Sequence, residues 1–336
     1  MKIGKVSETI LKRSILKEVH TLRDEVLVGA AVGEDCAMIE LKDGEVFVLS
    51  TDPITGTTKD IGKLSINVTL NDIASAGAEP VGVLLSVLLP PTVTEEDIKV
   101  MMHDVCEECS ALNVQVVGGH TEVTEAVRQP IITVTGVGKV KKGEEIVTGG
   151  TKPGDDIIVT KWIGLEGSSI IAKEKSEELK ARFSENYIAK ARDFDRYISV
   201  VEDAGVALKA GVHAMHDVTE GGIFGALWEL SESAGVGLDI DLKAIPIKQE
   251  TVEICNFFDI NPYQLISSGS MLMASADGEA VVKALQDAGI HASVIGRATN
   301  SNDRTVSNGD EKRFLTPPET DELYKIYLRR ELQEEE

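Results

Sequence analysis

The sequence predicts a mixed α/β (α+β) protein of two domains, on three observations. Its 336 residues exceed what one hydrophobic core usually serves. Short, continuously apolar runs such as VGVLLSVLLPP and DIIVTKWIG alternate with longer segments of helical spacing. A stretch rich in glycine and charge, KKGEEIVTGGTKPGDD, breaks that alternation near residue 150 and holds a Pro153-Gly154 turn. The expected domains are therefore 1–150 and 151–336. Aromatic residues are only 4% of the chain, so both cores must be built from Val, Ile, Leu and Ala.

Taken in order, residues 5–19 have helical spacing at Ile10, Leu11, Ile15 and Val19, with Ser7 as a cap. A glycine turn at Gly33 separates two apolar runs. EVFVLSTDPI reads as a strand that stops at Thr51-Asp52-Pro53, because proline cannot donate to a ladder. A helix follows, with Asp60 at its start and Gly77 as its terminator. VGVLLSVLLPP is a strand, and TEEDIKVMMHDVCEECSAL is a helix with acidic residues in its first turn. VQVVGGHTEV is a strand running into a Gly-Gly turn, and PIITVTGVGKV is another strand. In the second half, strand DIIVTKWIG precedes a polar, partly helical region. VHAMHDVTEGGIFGALWELSESAG then reads as strand, polar turn and a helix from about Thr219 to Ser233. A strand at MLMAS, a helix at AVVKALQDAGI and a strand at ASVIGRA follow, and the chain ends in a charged helix or frayed tail.

The formal charge of −22 argues against nucleic acid and anionic membranes as partners, since a phosphate-backbone binder needs the opposite sign. No apolar run is long enough to span a bilayer and no signal-peptide pattern is seen, so a cytoplasmic setting with free thiols is expected.

Four carboxylates stand out in the first half: Asp35, Asp52, Asp60 and Asp72. Each of the first three also suits a local turn or cap. Asp72 differs, because it and Asn71 lie inside an otherwise apolar helix, where Asp needs another reason. Buried carboxylates that converge call for a cation, and oxygen-only ligands suit Mg²⁺, which commonly arrives with phosphates. Gly118 and Gly119 let a backbone approach a ligand, and His120 and Thr121 follow them. His120 is a ligand, a phosphate contact or a histidine bonded within its loop. HDVTEGG gathers Asp217, Thr219 and Glu220 before Gly221 and Gly222 at a helix start, where unpaired N–H groups attract anions. The plain alternative is that Thr219 caps the helix. SSGS, residues 267–270, offers hydroxyls. Cys106 and Cys109 lack a second cysteine pair and read as helix residues, not a zinc site. Neither a Walker loop nor a strand-linked dinucleotide fingerprint is present.

In order, VGEDCAMI, STDPITG, DIGKLSINVTLNDIASAGAEPV, VVGGHTEV, TVTGVGKV, KPGDDIIVTKWIGLEGSSI, HDVTEGGIFGALWEL and SSGS resemble the aminoimidazole ribonucleotide synthetase (PurM-like) superfamily. The likeness runs from about residue 4 to 300 and is greatest to the hydrogenase-maturation branch, the HypE type. The resemblance implies a two-domain PurM-like fold whose first domain pairs its mixed sheet with a twin in a homodimer. It implies ATP near that interface, phosphates bridged by Mg²⁺, and a second α/β domain closing on the cleft. Position by position, it assigns Asp35, Asp52 and Asp72 to metal and phosphate, and Asn71 to their neighbourhood. Asp217 and Glu220 fall in the motif that closes on the cleft. Gly118, Gly119, Thr121, Gly221 and Gly222 are the positions expected against the nucleotide, and His120 is a candidate acid, base or phosphate contact.

The implied activity is transfer of the γ-phosphoryl group to an oxygen of a small acceptor. The alternatives are a non-catalytic ATP- or partner-binding protein and a small-molecule kinase of the thiamine-monophosphate type. This chain departs from the branch in three ways. His120 stands where relatives carry Asp, the N-terminal glycine-rich loop is reduced to Gly4, and the reactive C-terminal cysteine is missing, Cys255 being the last. Dehydration of a group carried on that cysteine is therefore not expected.

Overall fold

A computed structural model describes residues 4–5, 10, 12–28, 38–54, 60–317 and 320–326. The chain divides into two compact units, Met1–Glu145 and Ile146–Glu336. Each has its own sheet.

In unit 1 the strands are β1 (Gly4–Lys5), β2 (Val26–Val28), β3 (Met38–Ile39), β4 (Glu45–Ile54), β5 (Glu79–Leu89), β6 (Gln115–Val123) and β7 (Ile131–Lys141). The helices are α1 (Ile61–Ser75) and α2 (Glu95–Ala111). The main sheet has the order β1-β6-β5-β7-β4, and β2 pairs with β3. α2 carries the chain between β5 and β6, which run parallel, as a crossover requires. Its start is a capping box: Thr94 and Asp97 exchange bonds, with Glu95 and Glu96 at the positive end of the dipole.

α1 is buried on most of its circumference because it is covered on two sides, by the sheet and by α2, and its buried residues include Ser65, Asn67, Thr69 and Asn71. Glycines on β7 bring it down onto the sheet. A Cβ at Gly138 would lie 2.3 Å from Cγ2 of Ile73, and one at Gly136 would lie 2.9 Å from Cγ2 of Thr69. Among the described residues the far face of the sheet is uncovered at β4, where Phe47 and Leu49 are exposed. Arg23 fastens the rim of the unit. It bonds Glu25 at 2.9 Å and Glu79 at 2.6 Å, and Lys139 also pairs with Glu25.

In unit 2 the strands are β8 (Asp156–Thr160), β9 (Ala214–Asp217), β10 (Gly237–Asp241), β11 (Met271–Ser275), β12 (Ala292–Thr299), β13 (Arg304–Asn308) and β14 (Glu311–Phe314). Its helices are α3 (Leu165–Glu174), α4 (Ser176–Leu179), α5 (Glu185–Arg192), α6 (Val201–Ala210), α7 (Gly222–Ala234), α8 (Gln249–Phe258) and α9 (Gly278–Asp287). The sheet order is β14-β13-β10-β12-β8-β11-β9. One aliphatic core joins the sheet to α7 through Ile157, Val159, Leu227, Leu230 and Leu272. A second lies among α3, α5 and α8 and includes Ile171, Ile188 and Ile254.

Several expectations change. The strand at EVFVLSTDPI runs on through Pro53 to Ile54, because β4 is an edge strand, where a missing N–H is tolerated. VVGGHTEV is strand throughout, with no turn at the glycines. A bulge in its pairing with β5 absorbs the irregularity, and Gly119 sits at φ 145°. The α7 helix starts at Gly222, three residues after Thr219, with Gly221 at the cap and no side-chain cap bond. Asp60 occupies the cap position of α1 in a left-handed conformation but supplies no side-chain cap. Of the two expectations for the C-terminal segment, the helix holds over 322–326, and Asp321, Glu322, Leu323 and Ile326 are buried. Ser7, Gly33 and Asp35 lie outside the described residues.

Candidate functional site

Alternation along β4 places Ser50 and Asp52 on the face that α1 covers, with Leu49 and Thr51 on the other. Asp72 lies on the side of α1 that packs on β4 and β7. The Ser50 hydroxyl faces both carboxylates. It bonds Oδ2 of Asp72 in a short contact and lies 3.3 Å from Oδ2 of Asp52. One hydroxyl hydrogen stands between two carboxylates, and such a gathering of like charge favours a cation. Asn71, next along α1, is fully buried. Among the described residues, no group of three or more His, Cys, Asp or Glu is disposed to hold a metal. A magnesium ion that arrives with phosphates needs only one or two carboxylates from the protein, so Asp52 and Asp72 fit that use.

The β6 motif divides between the two faces. Through the ladder β4-β7-β5-β6, Asp52 aligns with Val134, Leu85 and Gly119, and Thr121 shares their helix-covered face. His120 aligns with Ser86, Thr133 and Pro53 on the open face, as does Gly118 with Leu84 and Thr135. His120 Nε2 lies 3.1 Å from Oε2 of Glu122 on that face. The structure therefore brings Asp52 and Asp72 together and sets His120 apart from them. A Cβ at Gly119 would lie 2.1 Å from the Leu85 carbonyl oxygen, which is why glycine is needed there.

In unit 2, Asp217 ends β9 and is buried, while Glu220 is exposed in the turn before α7. Glycine is required at 222, where a Cβ would lie 2.7 Å from the carbonyl oxygens of Tyr263 and Leu265. The Gly221 N–H donates to Oδ2 of Asp321 at 2.7 Å, and Glu220 accepts the Tyr324 hydroxyl at 2.8 Å. SSGS is structural in part: Ser267 Oγ accepts the Gly164 N–H at 2.7 Å, and Ser270 donates to the Trp162 carbonyl.

Sequence reasoning missed Ser50, Glu166 and Asp321. Glu166, in the first turn of α3, is buried, and burial pushes its carboxyl up to about 7. The signal available for it was an acid amid small residues in GLEGSS. Cys106 and Cys109 are buried on α2, and burial holds both thiols protonated, Cys106 up to about 12.

The family description "AIR synthase related protein, N-terminal domain" matches residues 33–140, and "AIR synthase related protein, C-terminal domain" matches residues 152–307. A putative hydrogenase expression/formation protein of Methanocaldococcus jannaschii is 30% identical, over 88% of each chain. The carbamoyl dehydratase HypE of Cupriavidus necator is 30% identical, over 76% of this chain and 73% of its own. Among solved structures, HypE of E. coli superposes with a TM-score of 0.80 at 21% identity, over 95% of this chain and 100% of that one. A hydrogenase maturation protein HypE solved in complex with ATP has a TM-score of 0.79 at 19% identity, over 95% and 97%.

Proposed function

The chain belongs to the AIR synthase related family, and from that premise we propose that it is a Mg-ATP-dependent enzyme. It transfers the γ-phosphoryl group to an oxygen of a small acceptor. The observation that carries this reading is the meeting of Asp52 and Asp72 at the Ser50 hydroxyl. Likeness to a HypE solved with ATP supports the nucleotide.

In this reading Asp52 and Asp72 hold Mg²⁺, and Ser50 fixes the rotamer of each. Held there, the ion would supply positive charge against the phosphates, which is the chemistry these two carboxylates would position. Gly119 and Thr121, on the same face, form the backbone wall further along the sheet. Asp217 and Glu220 belong to the second unit's share of the chemistry. His120 contributes from the open face of the sheet, outside the carboxylate pair. A homodimer is part of the proposal: exposed Phe47 and Leu49 on edge strand β4 suit a second copy of this sheet. The free thiols of Cys106, Cys109 and Cys255 suit a cytoplasmic setting.

Calorimetry of ATP binding with and without Mg²⁺ tests the reading, on the wild type and on Asp72→Asn. The expected result is magnesium-dependent binding that the variant loses while its fold is unchanged. A fully active Asp72→Asn protein would overturn the assignment. A second reading, ATP or partner binding without turnover, draws on the His120–Glu122 pair standing on the open face. It predicts ATP binding with no ADP formed under any acceptor, thiamine monophosphate included.

A further inference from the structure

Residues 320–326 close over the start of α7. Asp321 is 3% exposed and takes the Gly221 N–H through Oδ2 at 2.7 Å. Its Oδ1 accepts the Leu323 N–H at 2.8 Å. Tyr324 donates to Glu220, and Glu322 accepts the Asn261 N–H at 3.2 Å. Leu323 and Ile326 are buried in the core of α3, α5 and α8. A carboxylate of the chain itself thus occupies the amide that a bare helix start would offer to an outside anion.

Glu166 follows Leu165, which shares a buried core with Leu323 and Ile326 of this segment. It is 3% exposed, and its Oε2 has no hydrogen-bond partner among the described residues. The groups facing it are Ser268 from the loop before β11, Glu220 from the turn before α7, and Asp321 and Tyr324 from the closing segment. Two carboxylates buried out of water, Glu166 and Asp321, with Glu220 at their exposed edge, repel when all are ionised. They are not disposed as a metal-ligand group. A proton is then the means of neutralising them.

We propose that residues 320–326 form a proton-latched strap. A proton held between the buried Glu166 and Asp321 keeps the segment docked on α7, and loss of that proton releases it and bares the Gly221 amide to an anion. The phosphoryl-transfer reading is not required for this.

The sign follows from burial. Docked, Glu166 keeps its proton to about pH 7, and Asp321 is also raised. Undocked and wetted, Glu166 returns toward its ordinary 4.5. Docking is strongest below the lower value, weakens as pH rises between the two, and is level above the higher. Each pKa unit recovered on release changes the docking equilibrium about tenfold.

Amide hydrogen exchange read by mass spectrometry from pH 5 to 8, corrected for intrinsic rates, tests this on the full chain. In the wild type, protection of the peptide covering 320–326 should fall by about tenfold or more. In Glu166→Gln, a neutral isostere, that fall should be much smaller, since only Asp321 remains to titrate. In Asp321→Ala, the same peptide should be unprotected throughout while α3 stays protected. Equal wild-type protection at pH 5 and 8 would overturn the proposal, and so would a fall in Glu166→Gln as large as in the wild type.

Discussion

Ser50 shows how much one small side chain can organise. It carries no charge, yet its hydroxyl is the point at which Asp52 and Asp72 meet. If it sets their rotamers for a cation, Ser50→Ala should weaken magnesium-dependent ATP binding by roughly 10- to 100-fold, as loss of an outer-shell partner typically does. Calorimetry reads this directly, and unchanged affinity would separate Ser50 from the site. Gly119 is a residue of the opposite kind, set by backbone alone. With φ at 145° and the Leu85 carbonyl 2.1 Å from any Cβ, Gly119→Ala should cost at least about 2 kcal/mol of stability in denaturant melts. Lys161 and Asp203 are a buried pair at 3.1 Å, the lysine's pKa lowered by burial. Asp203→Ala should destabilise unit 2 by about 3–5 kcal/mol, because it leaves a buried ammonium without its counter-charge, with only the Tyr197 and Ser199 carbonyls to accept from it; a joint replacement of both by apolar residues should cost less.

Between elements, the contact that matters most for the site is α1 on β4 and β7. The two β7 glycines let the helix sit low enough for Asp72 to reach Ser50. Gly138→Ala should therefore lower Tm and also weaken magnesium-dependent binding, since the added methyl pushes against Ile73 and lifts the helix. Ile73→Ala leaves a cavity by itself, costing about 2–5 kcal/mol, but should partly offset Gly138→Ala. A double-mutant cycle of melts that comes out additive would show the helix is not held by this contact. Asn71 and Asp72 were legible as an oddity inside an apolar helix, and α1 was legible as a helix. What Asp72 faces was not, since Ser50 lies 22 residues earlier on a strand whose pairing only the sheet decides. Gly118–Thr121 illustrates the reverse. Two glycines suggest a turn locally, but pairing with β5 through a bulge keeps them in the strand and turns His120 to the open face.

For the whole molecule, charge is the dominant bulk property. A net −22 gives long-range self-repulsion, so added salt should raise Tm until screening is complete, near ~0.15–0.3 M. A Tm independent of ionic strength would show the charges are locally balanced. Acid acts at a particular place. Bonding to Arg23, with help from Lys139, holds Glu25 well below its ordinary 4.5, so this group adds stability above that value and loses it as pH falls below it. Arg23→Ala should therefore be destabilised at pH 7 and show a shallower acid dependence than the wild type in denaturant titrations. Length, an aliphatic composition and a glycine-rich break determined by themselves that there would be two α/β units. The ordered motifs determined the family, because runs of apolar spacing and short polar strings are local properties of a chain. Only tertiary structure decided which carboxylates meet, that His120 stands apart from them, and that a C-terminal segment of charged appearance is buried on the start of α7. Those outcomes depend on strand register and on partners far away in the chain, and neither leaves a mark in local spacing.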